Sequence, residues 1–196
     1  LPQMVDLTGV DLFHAPSNIL PRGIDIPCVT TIHDIMWLTD PQLCSSRLWA
    51  KVERRFFAHG IKRALRKSDA IMTVSEATRS TILDIHPQLA EQTFASLPGV
   101  EEPFAPRTVA PEELSRIGLP AKRYFLTVGQ NAPYKNHEGA IRAFASAFAE
   151  DESIDLVIVQ RRGAGADALK RLADNLGLAG RVHVFAPLEE ADLVTL

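Results

Sequence analysis

The chain has 196 residues, enough for one large domain or two small ones. Its composition, 46% hydrophobic and 23% charged, is typical of a soluble globular protein, and no apolar run approaches the roughly 20 residues that span a bilayer. We expect no signal peptide. Two cysteines, Cys28 and Cys44, are too few for a disulfide framework or a metal site, which favours a reducing, cytoplasmic compartment.

Strand-like and helix-like segments alternate along the whole sequence. In the first half we predict strands at 10–15, 28–33, 70–74 and 94–97, with helices at 46–67 and from Ser75 onward. In the second half we predict strands at 123–128, 155–160 and 181–185, with helices at 136–149, 165–176 and from Glu189 onward. Alternation of this kind predicts parallel sheets joined by right-handed crossovers, the doubly wound α/β class.

A polar stretch with five prolines, from Pro98 to Pro120, separates the two halves. We place the domain boundary in it. Residues 1–105 are then the first domain, 106–120 a linker and 121–196 the second domain. In proteins of this class a ligand site is expected in the cleft between two sheets, at the carboxyl ends of the strands.

Three candidate residues follow predicted strands: His33, Ser75 and Gly129. A histidine at a strand end can donate a hydrogen bond to a ligand oxygen, or it can be a structural residue bonded to the backbone. Ser75 and Glu76 are secondary candidates, because capping of the following helix explains both. His14 has the same kind of placement and is also a secondary candidate.

Segment 128–136 connects a predicted strand to a predicted helix through Gly129 and ends near Lys135. The amides at a helix start and the positive end of its dipole attract a phosphate, and the lysine adds a full charge. The alternative is an ordinary turn with a surface lysine. Arg161 and Arg162 lie in a second glycine-bearing turn, after strand 155–160, where two guanidinium groups are able to clamp a diphosphate.

The predicted helix 46–67 carries eight basic residues and one acid, a charge of +7 that leaves −10 for the rest of a chain whose formal net charge is −3. An apolar stripe runs along the same segment. Such a helix can lie on an anionic membrane surface or face a phosphorylated partner. Alternatively, its charges form the solvated outer face of a helix packed on the core. In either case we expect its aromatic residues to pack inward.

Several kinds of site have no sequence signal. There is no Ser-His-Asp arrangement in a recognisable context, no Walker lysine motif and no cluster with metal-ligand spacing. We therefore expect no metal ion, no organic cofactor and no nucleic-acid partner.

Five segments, 10–16, 29–34, 69–76, 98–100 and 126–136, resemble those of the family-4 (group 1) glycosyltransferases. Their order and spacing agree with that family over essentially the whole chain. The family consists of retaining, nucleotide-sugar-dependent enzymes of the GT-B architecture, which has two Rossmann-like domains. Within it the chain looks closest to bacterial enzymes of O-antigen and exopolysaccharide assembly, often mannosyltransferases.

The resemblance implies roles for individual residues. His33 would be the catalytic residue that touches the transferred sugar. Two positions depart from the family pattern: Gln130 replaces an arginine, and Gln160 replaces the glycine that usually ends the next strand, for which Arg161 or Arg162 would compensate. The donor-binding set is then Gly129, Gln130, Asn131, Lys135, Arg161 and Arg162.

By the same resemblance, the chain begins inside the first domain and stops inside the second, before the paired-glutamate segment that holds the donor sugar. We therefore expect a middle fragment of a glycosyltransferase that is inactive by itself. The implied reaction transfers a hexose, of the mannose or glucose type, to a glycan or lipid-linked acceptor with retention, in the cytoplasm or at the inner face of the plasma membrane. The alternatives are a nucleotide-sugar epimerase of the same architecture and an inactive nucleotide- or sugar-binding module.

Overall fold

The computed structural model describes residues 6–44, 49–160 and 165–196. The chain divides into two compact units, Leu1–Gly99 and Val100–Leu196, each with its own parallel sheet. The prediction of an α/β protein with two parallel sheets is confirmed. None of the described helices combines the length and the apolar character that a membrane span requires.

The first unit contains a four-stranded sheet, sheet A, whose strands follow one another in chain order and are all parallel. Its strands are β1 (Phe13–Ala15), β2 (Cys28–Ile32), β3 (Ala70–Thr73) and β4 (Thr93–Ala95). Its helices are α1 (Met36–Thr39), α2 (Pro41–Cys44), α3 (Ala50–Lys67) and α4 (Glu76–Ile85), followed by a 3₁₀ turn at Pro87–Gln92. Ile32, Ile61 and Ile71 are fully buried in the core between the sheet and α3.

The second unit contains a three-stranded parallel sheet, sheet B, in the order β5-β6-β7. Its strands are β5 (Arg123–Gly129), β6 (Ile154–Gln160) and β7 (Val182–Phe185). Its helices are α5 (Pro111–Arg116), α6 (His137–Phe148), α7 (Ala166–Asn175) and α8 (Glu190–Thr195). All seven residues of β6 are buried, as expected for a central parallel strand that is covered on both faces.

Two apolar clusters cover the two faces of sheet B. Ile141 and Phe144 of α6 pack on one face, together with residues of α7. Leu114 and Leu119 pack with Val157 and Val159 of β6 on the other. The stretch predicted as a linker, 106–120, thus contains a helix and contributes two buried leucines to the second unit.

The element types follow the predictions, while several boundaries shift. Strand β1 begins at Phe13 instead of residue 10, because only three residues pair with β2. The short helices α1, α2 and α5, of four to six residues, have no counterpart in the predictions. The first four residues of the predicted helix 46–67 contain positions outside the described residues, and α3 begins at Ala50.

Candidate functional site

His33 follows β2 at the carboxyl end of sheet A and is held by the loop after β1. Its backbone N–H donates to Asn18 Oδ1 at 2.6 Å, and its ring Nε2 lies 3.1 Å from the carbonyl oxygen of Pro16. Asn18 adopts a left-handed backbone conformation with φ of 55°, which asparagine tolerates better than most residues. The parallel pairing of β1 with β2 therefore fixes both the main chain and the ring of His33.

The contact with Pro16 determines which ring nitrogen of His33 carries the proton. A carbonyl oxygen can only accept, so Nε2 donates to it. In the neutral ring Nδ1 is then an acceptor, and no described residue bonds to it. The exposed ring can accept a hydrogen bond from a ligand hydroxyl through Nδ1, and it can donate one through Nδ1 only when it is protonated.

Ser75 lies at the end of the neighbouring strand and caps α4. Its Oγ accepts from the Thr78 amide at 3.1 Å and donates to Thr78 Oγ1 at 3.0 Å, while Thr78 Oγ1 donates to the carbonyl oxygen of His33 at 3.0 Å. The structure thus brings His33 and Ser75 together through Thr78, a residue that the sequence analysis did not single out. Its signal is the Ser-x-x-Thr spacing at a helix start. Glu76 is exposed in the first turn of α4.

His14 belongs to a different local environment. It lies within β1, and its Nε2 is 2.8 Å from Thr31 Oγ1 on β2. A small depression of about 260 Å³ lies beside the His33 segment, between the α1 region and α4. Its polar lining residues are Asp34, Thr39, Asp40, Thr78 and Thr81. Carboxylates and hydroxyls of this kind can bind the hydroxyl groups of a sugar.

Gly129 ends β5 at the carboxyl end of sheet B, where the side chain of Lys135 covers it. A Cβ at this position would lie 3.2–3.3 Å from Cγ, Cδ and Cε of Lys135, tighter than an ordinary van der Waals contact. Glycine thus allows the lysine stem to lie across the strand end. The intervening turn passes through a 3₁₀ helix, Pro133–Lys135, before α6 begins.

The polar side chains of this turn bind one another, but the Lys135 ammonium has no acidic partner. Gln130 Nε2 donates to the Tyr134 hydroxyl at 2.7 Å, and Lys135 Nζ lies 5.2 Å from the centre of the Tyr134 ring. Within the described part of the chain no carboxylate forms an ion pair with Lys135. The charge is therefore available to an anionic ligand.

Helix α6 begins with an asparagine cap next to Lys135. Asn136 has a left-handed backbone conformation with φ of 48°, and its Oδ1 accepts from the Gly139 amide at 3.2 Å. The first amides of a helix have no partner inside the helix, and the dipole places partial positive charge there. Lys135 and the start of α6 together make this end of sheet B electropositive.

Two buried polar side chains at the same end of sheet B have no hydrogen-bond partner within the described part of the chain. His137, the first residue of α6, is 4% exposed, and neither ring nitrogen has a hydrogen-bond partner among the described residues. Gln160 ends β6 opposite Gly129, is 0% exposed, and neither its Oε1 nor its Nε2 has one. A buried group without a hydrogen bond costs about 1–3 kcal/mol, so both side chains are unusual for a folded interior.

The remaining donor-site candidates are Asn131, Arg161 and Arg162. Asn131 extends over the start of α7, where a Cβ on Gly165 would meet its amide group. Gly165 has φ of 101°, a conformation that favours glycine. Arg161 and Arg162 lie outside the described residues. No group of three or more His, Cys, Asp or Glu side chains in the described ranges is arranged to hold a metal ion.

The expectation that the aromatic residues of the basic helix pack inward is wrong for two of them. Trp49, just before α3, is 71% exposed, and Phe56 is 59% exposed. The inner face of α3 is filled instead by Ile61, Ala64 and Leu65. Of the three aromatic residues in this segment, Phe57 is the one that packs inward. Its ring stacks on that of Trp37, with 4.8 Å between the ring centroids.

Residues 111–196 match the family model of the glycosyl transferases group 1. O-antigen chain mannosyltransferase B of Escherichia coli is 25% identical over 185 residues, which cover 93% of this chain and 47% of that protein. The chain thus spans about half the length of this curated relative.

Two solved structures have the same fold as this chain. The chain superposes on WaaG, a glycosyltransferase involved in lipopolysaccharide biosynthesis, with a TM-score of 0.68 at 15% identity, covering 97% of this chain and 52% of that one. For Anabaena HepE in complex with UDP and glucose the TM-score is 0.60 at 19% identity, covering 87% and 43%. Together the sequence matches and the fold support a group 1 glycosyltransferase of the GT-B type.

Proposed function

We propose, for this group 1 glycosyltransferase chain, that it carries the donor-diphosphate site and a sugar-contacting histidine of an enzyme that transfers a hexose from a nucleotide diphosphate sugar. The transfer goes to a hydroxyl group of a glycan or lipid-linked acceptor and retains the anomeric configuration. Similarity to an O-antigen mannosyltransferase favours mannose as the sugar. The UDP complex of a protein with the same fold favours a nucleoside diphosphate as the donor's leaving group.

The observation that carries this proposal is the arrangement of Lys135 at the carboxyl end of sheet B. Its stem lies across Gly129, its ammonium has no acidic partner among the described residues, and α6 starts two residues later, after the cap Asn136. A lysine without a counter-ion beside a helix N-terminus is suited to a phosphate group. Gly129 leaves room for that stem at the strand end, because a Cβ there would lie only 3.2–3.3 Å from its carbons.

The chemical task of this site is to stabilise negative charge. When the bond between the anomeric carbon and the diphosphate oxygen breaks, its electron pair stays on the diphosphate, which also takes the proton of the attacking hydroxyl. Lys135 and the α6 amides would stabilise that growing charge, and they do so without a metal ion or an organic cofactor. Preorganised contacts of this kind are worth about 3–4 kcal/mol each.

His33 would contact the transferred sugar. Because Pro16 holds Nε2–H, the neutral ring offers Nδ1 as an acceptor for a sugar hydroxyl. The sequence predicted that His33 donates a hydrogen bond to the ligand, whereas the structure leaves its ring as the acceptor. The contact would orient the sugar and leave the proton transfer to the diphosphate.

The acceptor side of the proposal involves a membrane. Segment 46–67 carries a charge of +7, and each basic residue near an anionic bilayer contributes about 1 kcal/mol of attraction. A lipid-linked acceptor would then be presented to a peripheral enzyme at the inner face of the plasma membrane. Nucleic acid has no role in this proposal.

The experiment is a glycosyl-transfer assay of the intact protein with a panel of nucleotide diphosphate sugars, using Lys135→Met beside wild type. Methionine keeps an apolar stem over Gly129 and removes the charge. We expect turnover to fall about 10²–10³-fold and nucleotide affinity to weaken. Lys170→Met, which removes an exposed lysine of α7, is the matched control and stays near wild type.

Different failures of this assay have different meanings. Equal activity of the two lysine variants would refute the role of Lys135. Epimerisation of the sugar nucleotide in place of transfer would support the epimerase alternative. Nucleotide binding without any turnover of the panel would support a binding module.

A further inference from the structure

Helix α3 and the residue before it expose a row of large apolar side chains to solvent, which runs toward the buried Gly60 one turn further on. Trp49, Val52 and Phe56 follow the three- and four-residue spacing of one helix face, and they are 71%, 57% and 59% exposed. Three large apolar side chains in one exposed row are more than the scattered apolar residues normal on a protein surface. This face is therefore a candidate binding surface.

A groove lies beside the stripe, within the first unit. It has a volume of about 740 Å³ and is formed by α3 and the loop that starts at Ile19. Val52 and Phe56 line it from the helix, while Leu20 and Pro21 line it from the loop. Gly60 allows the close approach of this loop, because a Cβ there would lie 2.5–2.6 Å from side-chain carbons of Ile19.

A second depression, of about 750 Å³, adjoins the groove and is cationic. Its charged lining residues are Arg22, Asp25, Arg63, Arg66 and Lys67, and Asp25 is the only acid among the described residues that line it. None of the four cations forms an ion pair with an acidic side chain in the described ranges. Burial, and then the like charges of Arg22 and Arg66, lower the pKa of the Arg63 guanidinium, which still stays charged.

The apolar groove and the cationic depression share four residues, Leu20, Pro21, Arg22 and Arg63. Arg63 is fixed at the junction, because it donates to the carbonyl oxygen of Leu20 at 2.7 Å. A ligand that fills both parts needs an anionic group and a hydrocarbon chain attached to it. Guanidinium groups bind phosphate in particular, through paired hydrogen bonds.

We propose that this junction binds a single anionic phospholipid of a bilayer, with its phosphate among Arg22, Arg63 and Arg66 and an acyl chain along Val52 and Phe56. This inference rests on the membrane association in the proposed function. It attributes that association to a defined groove, and not to the overall positive charge of segment 46–67. Trp49 extends the apolar row beyond the groove, and tryptophan is a residue that favours the membrane interface. A soluble phosphorylated ligand would leave this row without a function.

The test is co-sedimentation of the intact protein with phosphatidylcholine vesicles that contain or lack phosphatidylglycerol. Two variants each lose two exposed positive charges. R22Q/R66Q removes them at the junction, and K51Q/R54Q removes them from the first turns of α3, away from the cationic depression. Diffuse attraction would weaken both equally, because each removes the same charge. We expect the junction variant to lose at least about tenfold more affinity than the control variant.

Phe56→Ser tests the apolar part, with Ile85→Ser of α4 as the matched exposed control. We expect Phe56→Ser alone to weaken vesicle binding. Equal losses in the two charge variants, or in the two serine variants, would overturn the groove. Glycerol phosphate that binds as tightly as vesicles and depends equally on Arg22 and Arg66 would also overturn it, in favour of a soluble ligand.

The same samples separate this inference from the proposed function. Calorimetry with UDP and GDP is expected to give the same affinity for R22Q/R66Q as for wild type, because neither arginine belongs to the donor site. Loss of vesicle binding with intact nucleotide binding supports the groove. Intact vesicle binding in R22Q/R66Q refutes it, whatever the outcome for the nucleotide.

Discussion

The carboxyl ends of the two sheets differ in how their polar groups are satisfied. At the end of sheet A, His33, Asn18, Ser75 and Thr78 are bonded to one another or to the backbone at 2.6–3.1 Å. At the end of sheet B, neither Lys135, His137 nor Gln160 has an acidic or hydrogen-bonding side-chain partner among the described residues. At the end of sheet A these groups hold one another in place and leave His33 Nδ1 as an acceptor, whereas at the end of sheet B a full positive charge and two buried polar side chains have no such partner among the described residues.

This difference has a physical interpretation. A group that only orients a ligand works best when its own position is fixed beforehand, because no free energy is then spent on ordering it. A group that binds the charged part of a ligand must leave its charge unpaired until the ligand arrives. Sheet A thus has the properties of a positioning site, and sheet B those of a site for an anion.

Removal of the His33 ring has the largest effect that we expect at sheet A. His33→Ala should lower turnover about 10²-fold, because a preorganised contact to the sugar is lost. Nucleotide affinity should stay unchanged, since the proposal assigns His33 to the sugar and not to the diphosphate. Steady-state kinetics with calorimetry measures both, and His86→Ala is the control. Lost nucleotide affinity with normal turnover at saturation would contradict the assignment.

Paired substitutions of buried polar residues test the contrast directly through stability. Gln160→Met should stabilise the ligand-free protein by about 1–3 kcal/mol, because it removes a buried amide that has no partner among the described residues. Thr30→Val in sheet A should destabilise it by about the same amount, since Thr30 Oγ1 is bonded to Ser68 Oγ at 2.7 Å and valine leaves that buried hydroxyl unpaired.

Chemical denaturation of both variants gives these free energies of unfolding, with Gln88→Met as the exposed control. A destabilised Gln160→Met protein would mean that the amide of Gln160 is satisfied in solution. The two ends of the molecule would then be alike in this respect.

Loss of the α4 cap should have a smaller effect. Ser75→Ala removes the side-chain acceptor of the Thr78 amide, and the loss of such a cap costs about 1 kcal/mol. Ser80→Ala, at an exposed position of the same helix, is the matched control. Equal unfolding free energies of the two variants would show that Ser75 does not hold this end of sheet A.

The smallest effect concerns Glu113, away from both strand ends. Hydrogen bonds from the Ala110 amide and then from Arg107 lower the pKa of the Glu113 carboxyl. Because the folded-state pKa lies below the unfolded one, near 4.3, the stabilisation is present above that value and is lost as the pH falls through the folded pKa. Wild type should therefore be slightly more stable than Glu113→Gln at pH 7.

Thermal unfolding of wild type and Glu113→Gln at pH 7 and at successive steps below about pH 4 checks this dependence. The two melting temperatures should converge in acid. A constant difference over the whole range would exclude an ionised, bonded Glu113.

The fold could be predicted from the sequence because its longer elements have either a helical period or a continuous run of β-branched and apolar residues. Helix α6 and strands β5 and β6 lie within one residue of their predicted bounds. Helices α1, α2 and α5 were missed, since four to six residues give too few turns for a period to be recognised.

Side-chain environments were much less predictable. The partner of the His33 ring is 17 residues away and depends on the pairing of two strands. The outward placement of Trp49 and Phe56 depends on which face of α3 the sheet covers, and both faces contain apolar residues. The sequence cannot show that the Gln160 amide has no partner in the described ranges, because that depends on every neighbouring side chain.

The most direct test of the account is an NMR titration of the intact protein with inorganic pyrophosphate, the part common to all nucleoside diphosphates. We predict saturable shifts of backbone amides from Gly129 to Gly139 and of the Gln160 side-chain amide, with no shifts at His33 or Ser75. The shifts should be lost in Lys135→Met and kept in Lys170→Met. Shifts that are absent, or that are equal in the two lysine variants, would contradict an anion site at the end of sheet B.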